Sequence, residues 1–226
     1  MKAPIYYRRF DYDRNQLPNP VLRAAEEDVR TIEQAEEKTG ATIGYPGWPL
    51  IYYILLSHLH QDRPNYVVET GTNWGMTTIV LAEAIKAAGG GALHTIEIDP
   101  DNHRRAQQNV EKAGLTDIAN LHLGHSHAML PPVLAKLPSV RVAFLDGSHE
   151  HDDVMREFEL VLEKLEPTGL VIMDNTYPLT DVAAGEPARV SEALKTIKTR
   201  YGGNTINLEH VSWYTPGVAI WQPNAR

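Results

Sequence analysis

The sequence predicts an α/β fold in which an open, mostly parallel sheet carries helices on both faces, and three observations predict it. From Tyr66 onward, short apolar runs alternate with amphipathic helical patterns. The stretch Tyr66–Thr78, YVVETGTNWGMTT, reads as a buried strand, a turn bracketed by Gly71 and Gly75, and a helix with Met76, Ile79, Val80 and Ala84 on its apolar face. The next strand, His94-Thr95-Ile96-Glu97-Ile98, carries an acidic residue near its tip, 28 positions after Glu69. A carboxylate there suits the hydroxyls of a ribose. The turn brings backbone N–H groups at a helix start close to any ligand above the strand end. Its Gly-x-x-x-Gly spacing departs from the Gly-x-Gly-x-x-Gly that wraps a dinucleotide pyrophosphate, so a smaller, adenosine-bearing cofactor is expected.

Taken in order, residues 1–18 place Tyr6, Tyr7, Phe10 and Tyr12 among charges. This arm is expected to pack on its own domain, on a second copy in a homo-oligomer, or as a flap over the site. Asn19-Pro20 caps one accessory helix, with Leu22, Ala25, Val29, Ile32 and Ala35 on one face as far as Gly40. The arm and helix make up residues 1–43, and residues 44–226 form the main domain. Gly44-Tyr45-Pro46-Gly47-Trp48-Pro49 reads as a rigid turn into a helix from Leu50 to His60, its aromatics plugging the core or lining a pocket. Strands follow at 66–69, 92–98, 119–123, 140–145 and 169–173, with helices near 76–88, 101–113, 126–137 and 151–165. Pro167 and Gly169 end the last of these helices and restart the sheet. Beyond a loop, NTYPLTDVAAGEP, come a helix at 188–201 and strands at 205–213 and 217–222, close enough to pair as an antiparallel hairpin.

Composition narrows the function. The chain has 226 residues, 42% hydrophobic, enough for one large domain with a small extension. Twenty-one basic residues against 29 acidic give a net charge of −8, with no Lys/Arg run of the kind that grips nucleic acid. The absence of cysteine excludes disulfides, thiolate metal sites and cysteine nucleophiles. No signal-like apolar core and no transmembrane-length run occurs, so no membrane partner is expected and a cytoplasmic location is.

With these elements in place the chain resembles the class I S-adenosylmethionine-dependent methyltransferases. More narrowly, it resembles the metal-dependent small-molecule O-methyltransferases of the catechol and macrolide-sugar types. VVETGTNWGMTT is similar to their first cofactor motif, HTIEIDPDNHRRAQQNVEKAG to their second strand and helix, and LHLGHSHAMLP to their third cofactor segment. FLDGSHEHDDV and LVIMDNTYP are similar to their two metal-bearing strand ends. The resemblance implies a Rossmann-like, doubly wound sheet of seven strands, mostly parallel with the last antiparallel, which agrees with the hairpin. Two features depart from the pattern. Gly147 stands where catechol-type enzymes carry a His-Trp pair, so catechol itself is not the expected acceptor, and the first 40 residues match neither subgroup.

The resemblance also implies site roles. Glu69, Gly71 and Gly75 would surround the methionine part of S-adenosylmethionine, with Thr72, Asn73 and Trp74 as the wall. Glu97 would take the ribose, and Ser126 and His127 would lie near the adenine. Asp99 reads equally well as a helix cap. Asp146, Asp174 and Asn175 would hold Mg²⁺ or Mn²⁺, since neighbouring parallel strands bring both carboxylates to one edge and oxygen ligands suit these ions. His149, three residues past Asp146, would take the proton of a small hydroxylated acceptor during in-line methyl transfer, because imidazole titrates near neutrality. Simpler readings stand beside these: Glu69 holds a helix start, and Asp174-Asn175 caps a turn. The competing functions are a metal-independent N- or nucleic-acid methyltransferase and a non-catalytic cofactor-binding or interaction protein.

Overall fold

The computed structural model describes residues 17–29, 31–40, 44, 47–177, 189–210 and 216–224. The aromatic N-terminal arm, Tyr45-Pro46 and most of the 176–187 loop lie outside the described residues. The elements run α1 (Pro20–Glu26), α2 (Ile32–Thr39), α3 (Gly47–His58), β1 (Asn65–Thr70), α4 (Met76–Ala87), β2 (Gly91–Glu97), α5 (Pro100–Lys112) and β3 (Ala119–Leu123). They continue with α6 (Ser126–Leu134), β4 (Val140–Leu145), α7 (His151–Leu162), β5 (Leu165–Asp174), α8 (Arg189–Tyr201), β6 (Asn204–His210) and β7 (Pro216–Gln222).

One seven-stranded sheet has the order β3-β2-β1-β4-β5-β7-β6. The first five strands are mutually parallel, and β7 runs antiparallel to both β5 and β6. This is the doubly wound sheet with an antiparallel last strand that the sequence predicts. Side chains alternate across β1: Val67 enters a core built with α1, α3, α4 and α5, while Val68 enters the opposite core built with α6, α7 and α8. Such two-sided burial is why the central strands read as unbroken apolar runs. Among the described residues no helix is long and apolar enough to cross a membrane.

Three local expectations are corrected. The single accessory helix is two, because Asp28 takes φ 57° while Val29 turns inward, and Thr31 restarts the chain with a reciprocal capping box to Gln34. Helix α3 begins at Gly47, and fully buried Trp48 plugs the core from its first turn. Strand β5 begins at Leu165, upstream of Pro167, because its pairing with β4 jumps from Val140–Leu165 to Val142–Leu170. That irregularity leaves Pro167 where no ladder N–H is needed.

The N-terminal ends of β4 and β5 are locked by buried Arg141. Its guanidinium donates to the His58 carbonyl from Nε (3.1 Å) and Nη2 (2.6 Å), and from Nη1 to Thr168 Oγ1 (2.7 Å) and O (3.1 Å). Glu166 completes the cluster through His60 (2.8 Å) and Ser139 (2.9 Å). Burial, and then the Arg141 charge, push the His58 imidazole down to about 4 from its ordinary 6.5. Neutral His58 therefore supports the fold fully above pH 6.5, and that support is lost as pH falls toward 4. Denaturant titrations at pH 7.5 and 5.5 should show that His58→Gln loses less stability on acidification than the parent, by roughly 1 kcal/mol or less after solvent screening. Equal losses would remove His58 from the acid response.

Candidate active site

The parallel strands β1, β2, β4 and β5 bring their C-terminal ends to one edge. The chain leaves β1 toward β2 on one side while β4 occupies the other, so a crevice opens where the winding reverses. The turn after β1 is pinned to β2: Gly71 and Thr72 N–H both donate to the Ile96 carbonyl (3.0 and 3.3 Å), and Gly75 N–H donates to Thr72 O (2.8 Å). Gly71 has φ 81°, and a Cβ there would collide with the Asp146 carbonyl oxygen. Only glycine lets the tips of β1 and β4 come this close.

Glu97 is nearly buried, with Oε2 accepting from Asn73 N–H (2.6 Å) and Oε1 from Asp99 N–H (2.8 Å). Each oxygen retains further acceptor capacity. Beside it opens a cavity of about 210 Å³, lined among others by Gly71, Ile98, Gly124, Ser126, Gly147 and Ser148. Ile98 is 62% exposed, an apolar surface offered to whatever fills the space.

Of the residues expected around a cofactor, Gly71, Glu97 and Ser126 line this cavity, and the others surround it at greater depth or on neighbouring elements. Glu69 is fully buried and accepts from Thr78 Oγ1 of α4 (2.6 Å), which is the helix-holding role; burial pushes its carboxyl up to about 8. Thr72 is buried against Thr95 (2.5 Å). Asn73 contributes its backbone N–H to Glu97. The Trp74 indole donates to Asn102 (3.0 Å) and lies under the Arg105 guanidinium, 4.3 Å from the ring centroid, on the α5 side. Gly75 starts α4 at φ 84° and packs against Ala106. The His127 ring sits beside cavity-lining Asp153, its Nε2 3.5 Å from Asp153 Oδ1. Asp99 caps α5, accepting from the Asp101 and Asn102 amides.

The second constellation sits at the tips of β4 and β5. Asp174 is 3% exposed with Oδ1 unpartnered; burial and then the Asp146 charge raise its carboxyl well above the usual range. Asp146 is also raised by burial, opposed by His149, whose Nε2 lies 3.7 Å from Asp146 Oδ1. Asn175 follows at φ 57°, turning the chain sharply beside this pair. His151 points away, to Asp152 (2.8 Å) and Thr196 (3.1 Å). Two residues that pattern reading missed stand behind the crevice. Glu157, buried in α7, accepts from Thr70 Oγ1 (2.7 Å) and is shifted up by burial. Asp153, also in α7, lines the cavity. The available signal was an acid on the otherwise apolar face of α7, four residues past Asp153.

Residues 68–176 match a protein family described as a methyltransferase domain. A catechol O-methyltransferase of Niastella koreensis is 28% identical over 155 residues, covering 67% of this chain and 66% of that protein. The catechol O-methyltransferase of Sus scrofa is 31% identical over 90 residues, covering 39% of this chain and 47% of that protein. The aligned stretch thus spans about two thirds of the first relative's length and about half of the second's. The crystal structure of the O-methyltransferase TomG of Streptomyces achromogenes, involved in tomaymycin synthesis and in complex with S-adenosylmethionine, aligns with a TM-score of 0.72 at 19% identity. It covers 91% of this chain and 90% of that one, a likeness of fold.

The close approach at Gly71 makes a direct prediction. Gly71→Ala should lower stability by roughly 1–3 kcal/mol, because the added methyl forces β1 from β4 at a positive φ. A melting temperature equal to the parent's would show that the contact is not constraining.

Proposed function

We propose that this chain, which carries a class I methyltransferase domain resembling the catechol-type O-methyltransferases, transfers a methyl group from S-adenosylmethionine to a hydroxyl of a small molecule with the help of a divalent metal ion. The observation that carries the reading is that one sheet edge joins a cavity bearing Glu97 to a pair of mutually opposed carboxylates with a histidine alongside. TomG's complex supports the cofactor, and the catechol-type relatives support a hydroxyl acceptor.

Bound S-adenosylmethionine would supply a methyl group on a sulfonium, open to in-line attack. Glu97 would accept hydrogen bonds from the ribose hydroxyls, and Ile98 would cover the base. A cavity of about 210 Å³ is smaller than the ~300–1,000 Å³ of whole-ligand clefts, which suits the nucleoside end alone. Asp146, Asp174 and Asn175 fit a cation, since Asp174 has a buried oxygen without a partner and each carboxylate raises the cost of ionising the other. Mg²⁺ or Mn²⁺ held there would serve as a Lewis acid toward the acceptor oxygen. His149 Nε2 would take the acceptor's hydroxyl proton, and Asp146 Oδ1 would stabilise the resulting imidazolium.

A metal-independent transfer is the second reading, because among the described residues no three His, Asp or Glu side chains group to hold a metal. EDTA decides between them: it should abolish turnover with a hydroxyl acceptor, and Mg²⁺ should restore it. Turnover untouched by EDTA would leave the metal-independent reading. Calorimetry should show S-adenosylhomocysteine binding weakened by roughly 1.5–3 kcal/mol in Glu97→Ala. Binding of NAD in its place would reject the cofactor.

Two variants test the metal and the base. Asp174→Asn should stop metal-supported turnover yet raise the melting temperature of the metal-free protein, because it removes a buried carboxyl that resists ionisation. A lower melting temperature would contradict that account of the pair. His149→Ala should retain metal and S-adenosylhomocysteine binding while the single-turnover rate drops roughly 10²–10⁴-fold with an acceptor of high pKa. An unchanged rate would eliminate His149 as the base.

A further inference from the structure

We propose that Asp153 is the residue by which the nucleoside cavity selects a purine carrying an exocyclic amino group. The assignment rests on the adenosine-site reading above. Asp153 lies in the first turn of α7, where an acidic residue ordinarily serves the helix dipole. Its neighbour Asp152 already stands there with its side chain 99% exposed. Asp153 instead lines the cavity, and besides Glu97 it is the one carboxylate among the lining residues.

Its orientation is set from two sides. Ser148 Oγ donates to Asp153 Oδ2 (2.8 Å) and accepts from Glu150 N–H (3.2 Å), so the loop after β4 is relayed onto the carboxylate. Oδ1 lies 3.5 Å from His127 Nε2, a buried atom without a hydrogen bond, and so keeps acceptor capacity toward the cavity. With Glu97 committed to the ribose, the base occupies the part of the cavity bounded by Ile98, Gly124, Ser126, Ser148 and Asp153. An ionised carboxylate only accepts hydrogen bonds. A C6 amino group donates to it, whereas a C6 carbonyl sets lone pair against lone pair, so only one of the two bases can make the contact.

The test compares S-adenosylhomocysteine with its deaminated analogue S-inosylhomocysteine by calorimetry. The parent protein should bind the amino form at least about ten-fold tighter. Asp153→Asn, whose amide also donates, should bring the two affinities within about three-fold by improving the carbonyl form, and Ser148→Ala should narrow the gap by less. A structural role alone would weaken both ligands equally. An unchanged preference in Asp153→Asn, or a parallel loss for both ligands, would overturn the assignment while leaving the adenosine site intact. Failure of the parent protein to bind S-adenosylhomocysteine would overturn the site itself, and the assignment with it.

Discussion

At the reversal of the sheet, the backbone at Gly71 and the carbonyl of Asp146 occupy space that a single methyl would fill. Asp146 N–H donates to Thr70 O (3.1 Å), closing the same seam from the other strand. This contact sets the spacing of everything above it. The Gly71–Thr72 amides hold the Ile96 carbonyl and Asn73 N–H holds Glu97, so the β2 tip is placed relative to β1. On the other side Asp146 is placed relative to Asp174 through the β4–β5 register, which pairs Leu145 with Met173. The cavity beside Glu97 and the carboxylate pair are thus two sides of one backbone junction.

That junction concentrates buried acids. Among the described residues, Glu69, Glu157 and Asp174 are buried carboxyls gathered at or behind the C-terminal edge of the sheet, and Asp174 keeps one buried oxygen without a partner. An isolated buried charge is strongly unfavourable, so such groups either stay protonated or await a cation or donor. Glu69 accepts from Thr78 and Glu157 from Thr70, and both act inward to tie α4 and α7 to β1. Asp174 has Asp146 as its neighbour, which makes its burial costlier still. The same chemical group therefore serves structure in two places and points to ligand binding in the third.

Much of this was legible in the sequence because backbone constraints leave periodic traces. Every strand from β1 to β7 and the helices between them follow from apolar periodicity, and the β5 start was missed only because Pro167 sits in a pairing irregularity. Gly71, Glu97, Asp146, Asp174 and His149 stand out in the sequence because strand tips are marked by a change from apolar to polar, while the roles expected of them come from the resemblance to the metal-dependent O-methyltransferases. The side-chain contacts of Trp74, Thr72 and His127 were not legible, because motif adjacency fixes the backbone but leaves rotamers to tertiary neighbours. Asn102 and Arg105 draw Trp74 toward α5, and Asp153 draws His127. Asp153 itself was invisible, since in sequence it is one of two acids at a helix start, where either satisfies the dipole.

The two ends of the sheet show why stability and binding can coexist here. At the N-terminal end the buried Arg141 is met by carbonyl, hydroxyl and carboxylate partners, a paired charge that holds α3, β4 and β5 together. Removing one partner there leaves a charge uncompensated, so that end resists change. At the C-terminal end Asp174, beside Asp146, resists burial instead, and anything that satisfies it gains affinity from a cost the fold already carries. Because β4 and β5 run through both ends, the cluster around Arg141 keeps the strands in register while the Asp146–Asp174 edge remains under electrostatic tension. A ligand bound at that edge then stabilises the whole sheet by mass action rather than by building new structure.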